Sequence, residues 1–181
     1  MICGLSSISV LDLAKNKLIG VLPYYLGNLS STLSTLSLHT NKFYERIPYV
    51  QIENCEIKMI ELSDNQLHGP LPRGLANCSK LEFLNFENNH IVDTFPSWMG
   101  MLPSLKVLVI HSNGFHGVIM ERKTEDRFPM LCVIDESTND LLGNLQSKYF
   151  DTWSTMKVIN ASDQTGYVMD SLYPSFLYLT G

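Results

Sequence analysis

Residues able to do chemistry are scattered along this chain of 181 residues and form no reactive pattern. The five histidines are the first candidates for metal binding, but they lack the i, i+4 spacing of a helical metal site. We find no nucleophile signature, zinc-ligand spacing or phosphate-binding loop. The sequence therefore predicts no catalytic residue, no metal site and no cofactor. We interpret His68, His90 and His116 as solvated residues of turns.

Two of the four cysteines are spaced so that they could pair. Cys55 and Cys78 lie 23 residues apart, close to one period of the repeat described below. That spacing places them on adjacent turns, where the Cα atoms can approach within the roughly 7 Å that a disulfide needs. A disulfide and two separate buried thiols both fit the sequence.

Three Asn-x-Ser triplets are candidate sites of N-glycosylation, at Asn28, Asn77 and Asn160. Such triplets also arise by chance in a chain rich in Asn and Ser. An unmodified surface asparagine is therefore the alternative at each position.

The elements that position these residues are set by a repeated phrase: an apolar residue, one spacer, a second apolar residue, two spacers and Asn. Successive copies start 25, 24, 24, 24 and 26 residues apart. The six starts are Leu11, Leu36, Ile60, Leu84, Leu108 and Ile134. A period of about 20–29 residues with this pattern is typical of a leucine-rich repeat, whose stacked turns share one core. We predict an α/β solenoid with a parallel β-sheet on its concave face.

The asparagine that closes each phrase is predicted to be structural. Its amide carries both a donor and an acceptor, so it can satisfy backbone groups where the chain leaves the strand. The predicted ladder is Asn16, Asn41, Asn65, Asn89, Asn113 and Asn139. A polar binding strip made of the same six residues is the alternative.

Charge and hydropathy argue against two kinds of partner. A net charge of −5, with no basic run, argues against nucleic-acid binding. The longest apolar stretches are too short to span a bilayer, so we expect no membrane insertion by this chain. The segment Met1 to Val10 has neither a basic n-region nor an apolar h-region, and we predict no signal peptide there.

Phrase endings narrow the type of repeat. The Gly-x-Leu-Pro signature of plant-type repeats occurs twice, at Gly20-Val21-Leu22-Pro23 and Gly69-Pro70-Leu71-Pro72. The chain also resembles plant receptor-like proteins of the disease-resistance class, in residues 66–84, 93–100 and 112–117. The resemblance implies a second short sheet and 3₁₀ or helical segments on the convex face. It also implies an extracellular location at the plasma membrane and receptor-kinase co-receptors as partners.

The chain departs from this family pattern in several places. Residues 1–146 hold the six repeats, and residues 147–181 are predicted to form a degenerate seventh turn and the start of a non-repeat, island-like segment. Both ends of such a receptor are missing, so we expect an internal or truncated part of the ectodomain. Glu136 stands where earlier copies have an apolar core residue, and burying an unpaired carboxylate costs several kcal/mol.

Outward positions of the central strands form the predicted ligand-binding face. They are Met59, Glu61, Phe83, Asn85, Glu87, Val107, Val109 and His111. An apolar strip rimmed by acids suits a peptide or protein ligand with basic groups. With the family resemblance, this predicts ligand recognition in defence or developmental signalling and no enzyme activity. The alternatives are a soluble inhibitor of cell-wall-degrading enzymes, whose capping cysteine pairs are absent, and a non-functional, decayed gene product.

Overall fold

A computed structural model describes residues 8–24, 32–48, 55–119 and 128–143. Six short parallel strands lie side by side in one sheet, in the order β1-β3-β5-β7-β9-β11. They are β1 (Val10–Asp12), β3 (Thr35–Ser37), β5 (Met59–Glu61), β7 (Phe83–Asn85), β9 (Val107–Val109) and β11 (Val133–Asp135). The first apolar residue of each phrase is the middle residue of a strand and points into the core, because side chains alternate along a strand. The predicted solenoid is confirmed.

A second set of strands lies beside the first. Four of them form one sheet, β2 (Ile19–Val21), β4 (Lys42–Arg46), β6 (Gln66–Gly69) and β8 (His90–Ile91). β10 (His116–Val118) pairs with β12 (Asp140–Leu142) in the same parallel sense. The three histidines that we expected in turns belong to these strands instead, and they are exposed. That expectation was wrong because buried and exposed side chains continue to alternate past the asparagine, with Leu67 and Ile91 buried between exposed neighbours.

The described part of the chain contains two 3₁₀ helices of five residues each, Arg73–Asn77 and Ser97–Met101. Pro72 and Pro96 directly precede them. Proline has a fixed φ and no backbone N–H, so it suits the start of a helical turn. Within the described ranges, no helix has the length and apolar content needed to cross a membrane.

The asparagine ladder ties each turn to the one before it. In the five copies from Asn41 to Asn139, the side-chain oxygen accepts a backbone N–H of the preceding turn at 3.0 Å. The amide nitrogen donates to a carbonyl of that turn at 2.9–3.1 Å. Among the described residues, Asn16 donates only within its own turn, to Leu13 and Ala14. These contacts belong to the solenoid's backbone, which favours the structural interpretation over a binding strip.

Each ladder asparagine follows a residue in the left-handed backbone region. The φ values of these six residues lie between 51° and 54°. The residues are Lys15, Thr40, Asp64, Asn88, Ser112 and Thr138. None is glycine, so every turn contains one residue in a conformation that costs about 1–2 kcal/mol. The ladder and the stacked core must offset that cost.

The disulfide alternative is the one present in the structure. Cys55 is bonded to Cys78, with their Cα atoms 4.8 Å apart. The bond joins adjacent turns at the end of the first 3₁₀ helix. Asn77 of the neighbouring sequon is exposed. Asn28 and Asn160 lie outside the described residues, and so does the segment 147–181, so these glycosylation sites and the domain boundary stay predictions.

Glu136 marks a defect at the last described turn. Its Oε2 is buried and has no hydrogen-bond partner, as its core position implies. Burial raises the pKa of the Glu136 carboxyl, and the neighbouring negative charge of Asp135 raises it further. The equivalent residue one turn earlier, Ile110, is fully buried in the apolar core.

Candidate ligand-binding face

The structure brings the eight predicted face residues together on three adjacent strands and just beyond the ends of two of them. Pairing places Met59 beside Phe83 and Phe83 beside Val107, which makes one row across β5, β7 and β9. A second row runs through Glu61, Asn85 and Val109 in the same register. Glu87 and His111 lie two residues after β7 and β9. We call this set the concave face.

The apolar part of the concave face is less accessible than the repeat pattern predicts. Phe83, Val107 and Val109 are at most 5% exposed and form a cluster separate from the main core. Met59 and Val133 are partly buried against this cluster. Alternation correctly gives the direction of these side chains, but it does not give their exposure. Of the four predicted apolar residues, Met59 is the one that is only partly buried.

A buried polar pair lies beside this cluster. Asn85 Nδ2 donates to Glu61 Oε2 at 3.0 Å, and the backbone N–H of Ser63 donates to Glu61 Oε1 at 3.0 Å. Asn85 Oδ1 in turn accepts the backbone N–H of Glu87 at 2.8 Å. Burial raises the pKa of Glu61, while these hydrogen bonds partly oppose the rise. Glu61 and Asn85 therefore shape the concave face and offer little surface to a ligand.

The accessible charge on the concave side is acidic. Glu87 is partly exposed, and desolvation raises the pKa of its carboxyl. The negative charges of Asp64 and Asp135 raise the pKa of Glu87 further, whereas His111 lowers it. Carboxylates crowded in this way gain most from a positive partner, because a nearby cation relieves their mutual repulsion.

His111 is held in place by two hydroxyl groups. Its Nδ1 lies 2.6 Å from Ser137 Oγ, and its Nε2 lies 2.9 Å from Ser112 Oγ. Ser137 Oγ donates to Asp135 Oδ1 at 2.6 Å, and these bonds lower the pKa of Asp135. The residue types could suggest a hydrolytic site, but the hydroxyls serve to orient the imidazole and the carboxylate. The sequence places Asp135 and Ser137 at outward positions but outside the predicted ligand-binding set, and it does not indicate Ser112.

Metal binding finds no support on this face or elsewhere in residues 8–24, 32–48, 55–119 and 128–143. No group of three or more His, Cys, Asp or Glu side chains there could hold an ion. The arrangement of the concave face is suited to contact with another molecule through shape and charge.

Comparisons with known proteins agree with the repeat and the fold. A family model described as Leucine Rich Repeat matches residues 7–29 and 80–102. The chain is 41% identical over 175 residues to Receptor-like protein 35 of Arabidopsis thaliana, an alignment covering 95% of this chain and 18% of the relative. Receptor-like protein 53 of the same plant is 43% identical over 175 residues, with the same two coverages.

A solved structure gives the same result. The Arabidopsis receptor kinase HAESA, in complex with the peptide hormone IDA and the co-receptor SERK1, matches with a TM-score of 0.71 and 31% identity. That match covers 82% of this chain and 25% of the HAESA chain. The chain thus spans about a fifth of the length of the curated relatives it matches. The chain is a leucine-rich-repeat segment that is similar to plant receptor-like proteins.

Proposed function

We propose that the concave face binds an extracellular peptide or protein ligand that carries basic side chains. The observation that carries the proposal is the presence of Asp64, Glu87 and Asp135 in the third, fourth and sixth copies of the repeat, close enough that the other two carboxylates help to raise the pKa of Glu87. A lysine or arginine placed among them removes that repulsion and gains charge-assisted hydrogen bonds.

The relatives support a proposal for the setting of this module. We propose that it is part of the ligand-recognition array of a plant cell-surface receptor-like protein, on the extracellular side of the plasma membrane. The related HAESA ectodomain is bound to a peptide hormone and to a co-receptor, which supports a peptide ligand and a receptor-kinase co-receptor here. The proposed role is recognition in defence or developmental signalling, with no catalysis by this chain.

Selection from a random dodecapeptide library tests the ligand chemistry. Peptides retained by the chain should be enriched in Lys and Arg, and they should be released by Glu87→Lys and by Asp135→Lys. Glu56→Lys is a matched control, since the Glu56 side chain is 44% exposed and that of Asp135 is 47% exposed. Enrichment of acidic peptides, or retention that Glu56→Lys weakens as strongly as Asp135→Lys, would reject the proposal.

A further inference from the structure

One cysteine takes part in two possible modifications of this chain. Cys78 is the middle residue of the triplet Asn77-Cys78-Ser79, a candidate site of N-glycosylation, and it is also bonded to Cys55 in the disulfide. The triplets at Asn28 and Asn160 have leucine and alanine in the middle instead. The overlap therefore joins the two modifications at one of the three triplets.

The fold exposes the acceptor residue of this triplet but fixes its backbone. Asn77 and Ser79 are exposed, whereas Cys78 between them is fully buried. The backbone N–H of Cys78 donates to Leu75 O at 3.0 Å, and that of Ser79 donates to Asn77 O at 3.1 Å. The backbone N–H of Leu81 donates to Cys78 O at 3.0 Å, so the triplet is held in a compact turn. A glycan on Asn77 is compatible with this surface once it has been added.

We propose that Asn77 accepts its glycan only while the disulfide between Cys55 and Cys78 is open, so that closure of the disulfide sets the fraction of glycosylated molecules. An enzyme that modifies the triplet must enclose all three residues and bring the hydroxyl of Ser79 to the amide of Asn77. The middle residue is out of its reach once the thiol is bonded to the neighbouring turn. This inference rests on the extracellular setting proposed above, because both modifications belong to the secretory pathway.

The two reactions need different co-reactants. In the first, Asn77 Nδ2 attacks C1 of a lipid-linked oligosaccharide diphosphate: the C–N bond forms, the bond from C1 to the diphosphate breaks, and Nδ2 loses a proton. In the second, the thiols of Cys55 and Cys78 are oxidised by exchange with the disulfide of an oxidoreductase, which is reduced to its dithiol. A glycan added first does not prevent the second reaction, because Asn77 is exposed in the folded chain.

The order of the two cysteines along the chain makes the reactions compete directly. Cys55 lies 23 residues before Cys78, so it enters the secretory pathway first and is already there when the triplet arrives. The triplet thus becomes available to both reactions at the same time. Contact between the ends of such a loop is fast, whereas disulfide formation takes seconds to hours. Glycan transfer can therefore act on some of the molecules before the disulfide closes, and we expect partial occupancy of Asn77.

Mass spectrometry of the full chain, expressed in plant cells behind an added signal peptide, tests the proposal. Occupancy of Asn77 is measured in the total cell extract, so that a variant that folds poorly is still counted. The native sequence should carry the glycan on a minority of molecules. Cys55→Ser should raise that fraction about twofold or more, because it removes the disulfide and leaves the triplet intact. Cys132→Ser is the matched control, since it removes a free cysteine, and it should have no effect.

Cys78→Ala separates closure of the disulfide from the sequence of the triplet. It also prevents closure, so it should raise occupancy as Cys55→Ser does. A rise with Cys78→Ala alone would mean that cysteine is a poor middle residue, and it would overturn the proposal. Full occupancy in the native sequence, equal occupancy in the native sequence and Cys55→Ser, or no glycan on Asn77 in any variant would also overturn it. The added signal peptide forces entry into the secretory pathway, so these results contradict this proposal and not the proposed location.

Discussion

The side-chain oxygen of Asn89 accepts the backbone N–H of Leu67 at 3.0 Å, although the two residues lie in different turns, 22 positions apart. Its amide nitrogen also donates to Leu62 O of the preceding turn at 3.0 Å. One buried side chain thus supplies hydrogen bonds to backbone groups of the preceding turn. This is how the sequence period becomes the spacing of the coil.

Removing an interior ladder residue should be far more damaging than removing the first one. Asn89→Ala leaves the buried Leu67 N–H without a partner and removes one of two donors from the carbonyls of Leu62 and Phe86, and we expect a loss of about 3 kcal/mol. Asn16 is exposed and bonds only within its own turn, so Asn16→Ala should cost under about 1 kcal/mol. Urea unfolding of both variants measures the contrast, and equal losses would refute the ladder as the tie between turns.

Replacing Glu136 by leucine should stabilise the protein by about 1–3 kcal/mol at pH 7, because it removes a buried carboxylate oxygen that has no partner. The pKa of Glu136 is raised in the folded state, so its ionisation weakens the fold as pH rises through that pKa. The gain in melting temperature should therefore be larger at pH 7 than at pH 4. Ile110→Glu is the reverse control one turn earlier and should be strongly destabilising.

A glycine substitution should have opposite effects at two nearby exposed lysines. Lys15 has φ 54°, so Lys15→Gly relieves strain and should be neutral or stabilising. Lys17 is not among the residues with positive φ, so Lys17→Gly only adds freedom to the unfolded chain and should destabilise by about 0.5–1 kcal/mol. Thermal melts compare the two variants. A larger loss from Lys15→Gly would mean that the backbone there is not left-handed.

Loss of the disulfide should destabilise the central turns. The bond closes a loop between residues separated by 23 positions, and the chain-entropy model gives about 3 kcal/mol for a loop of that length. Replacing both Cys55 and Cys78 by Ala should lower stability by about that amount. Cys132→Ser should have little effect, since Cys132 is free and partly exposed. A thiol titration of the unfolded, unreduced protein should find no more than two reactive groups among the four cysteines, and finding four would contradict the pairing.

Several features of the fold could be read from the residues, because they depend on period and alternation. Ile60 and Leu84 are buried and Met59 points outward because side chains alternate along a strand. Other features depend on packing between turns, which a single phrase does not encode. The buried hydrogen bond from Asn85 to Glu61 is one case. The guanidinium of Arg73, 5.0 Å above the Trp98 ring and bonded to Asp93, is another.

The central claim is that the concave face binds a basic ligand, and a charge-swap cycle measured by calorimetry tests it most directly. A selected Lys-bearing peptide should bind the chain and lose about tenfold or more in affinity to Glu87→Lys. The same peptide with that lysine changed to glutamate should recover affinity for Glu87→Lys and bind the unmodified chain poorly. If neither peptide distinguishes the two proteins, the concave face is not the ligand site.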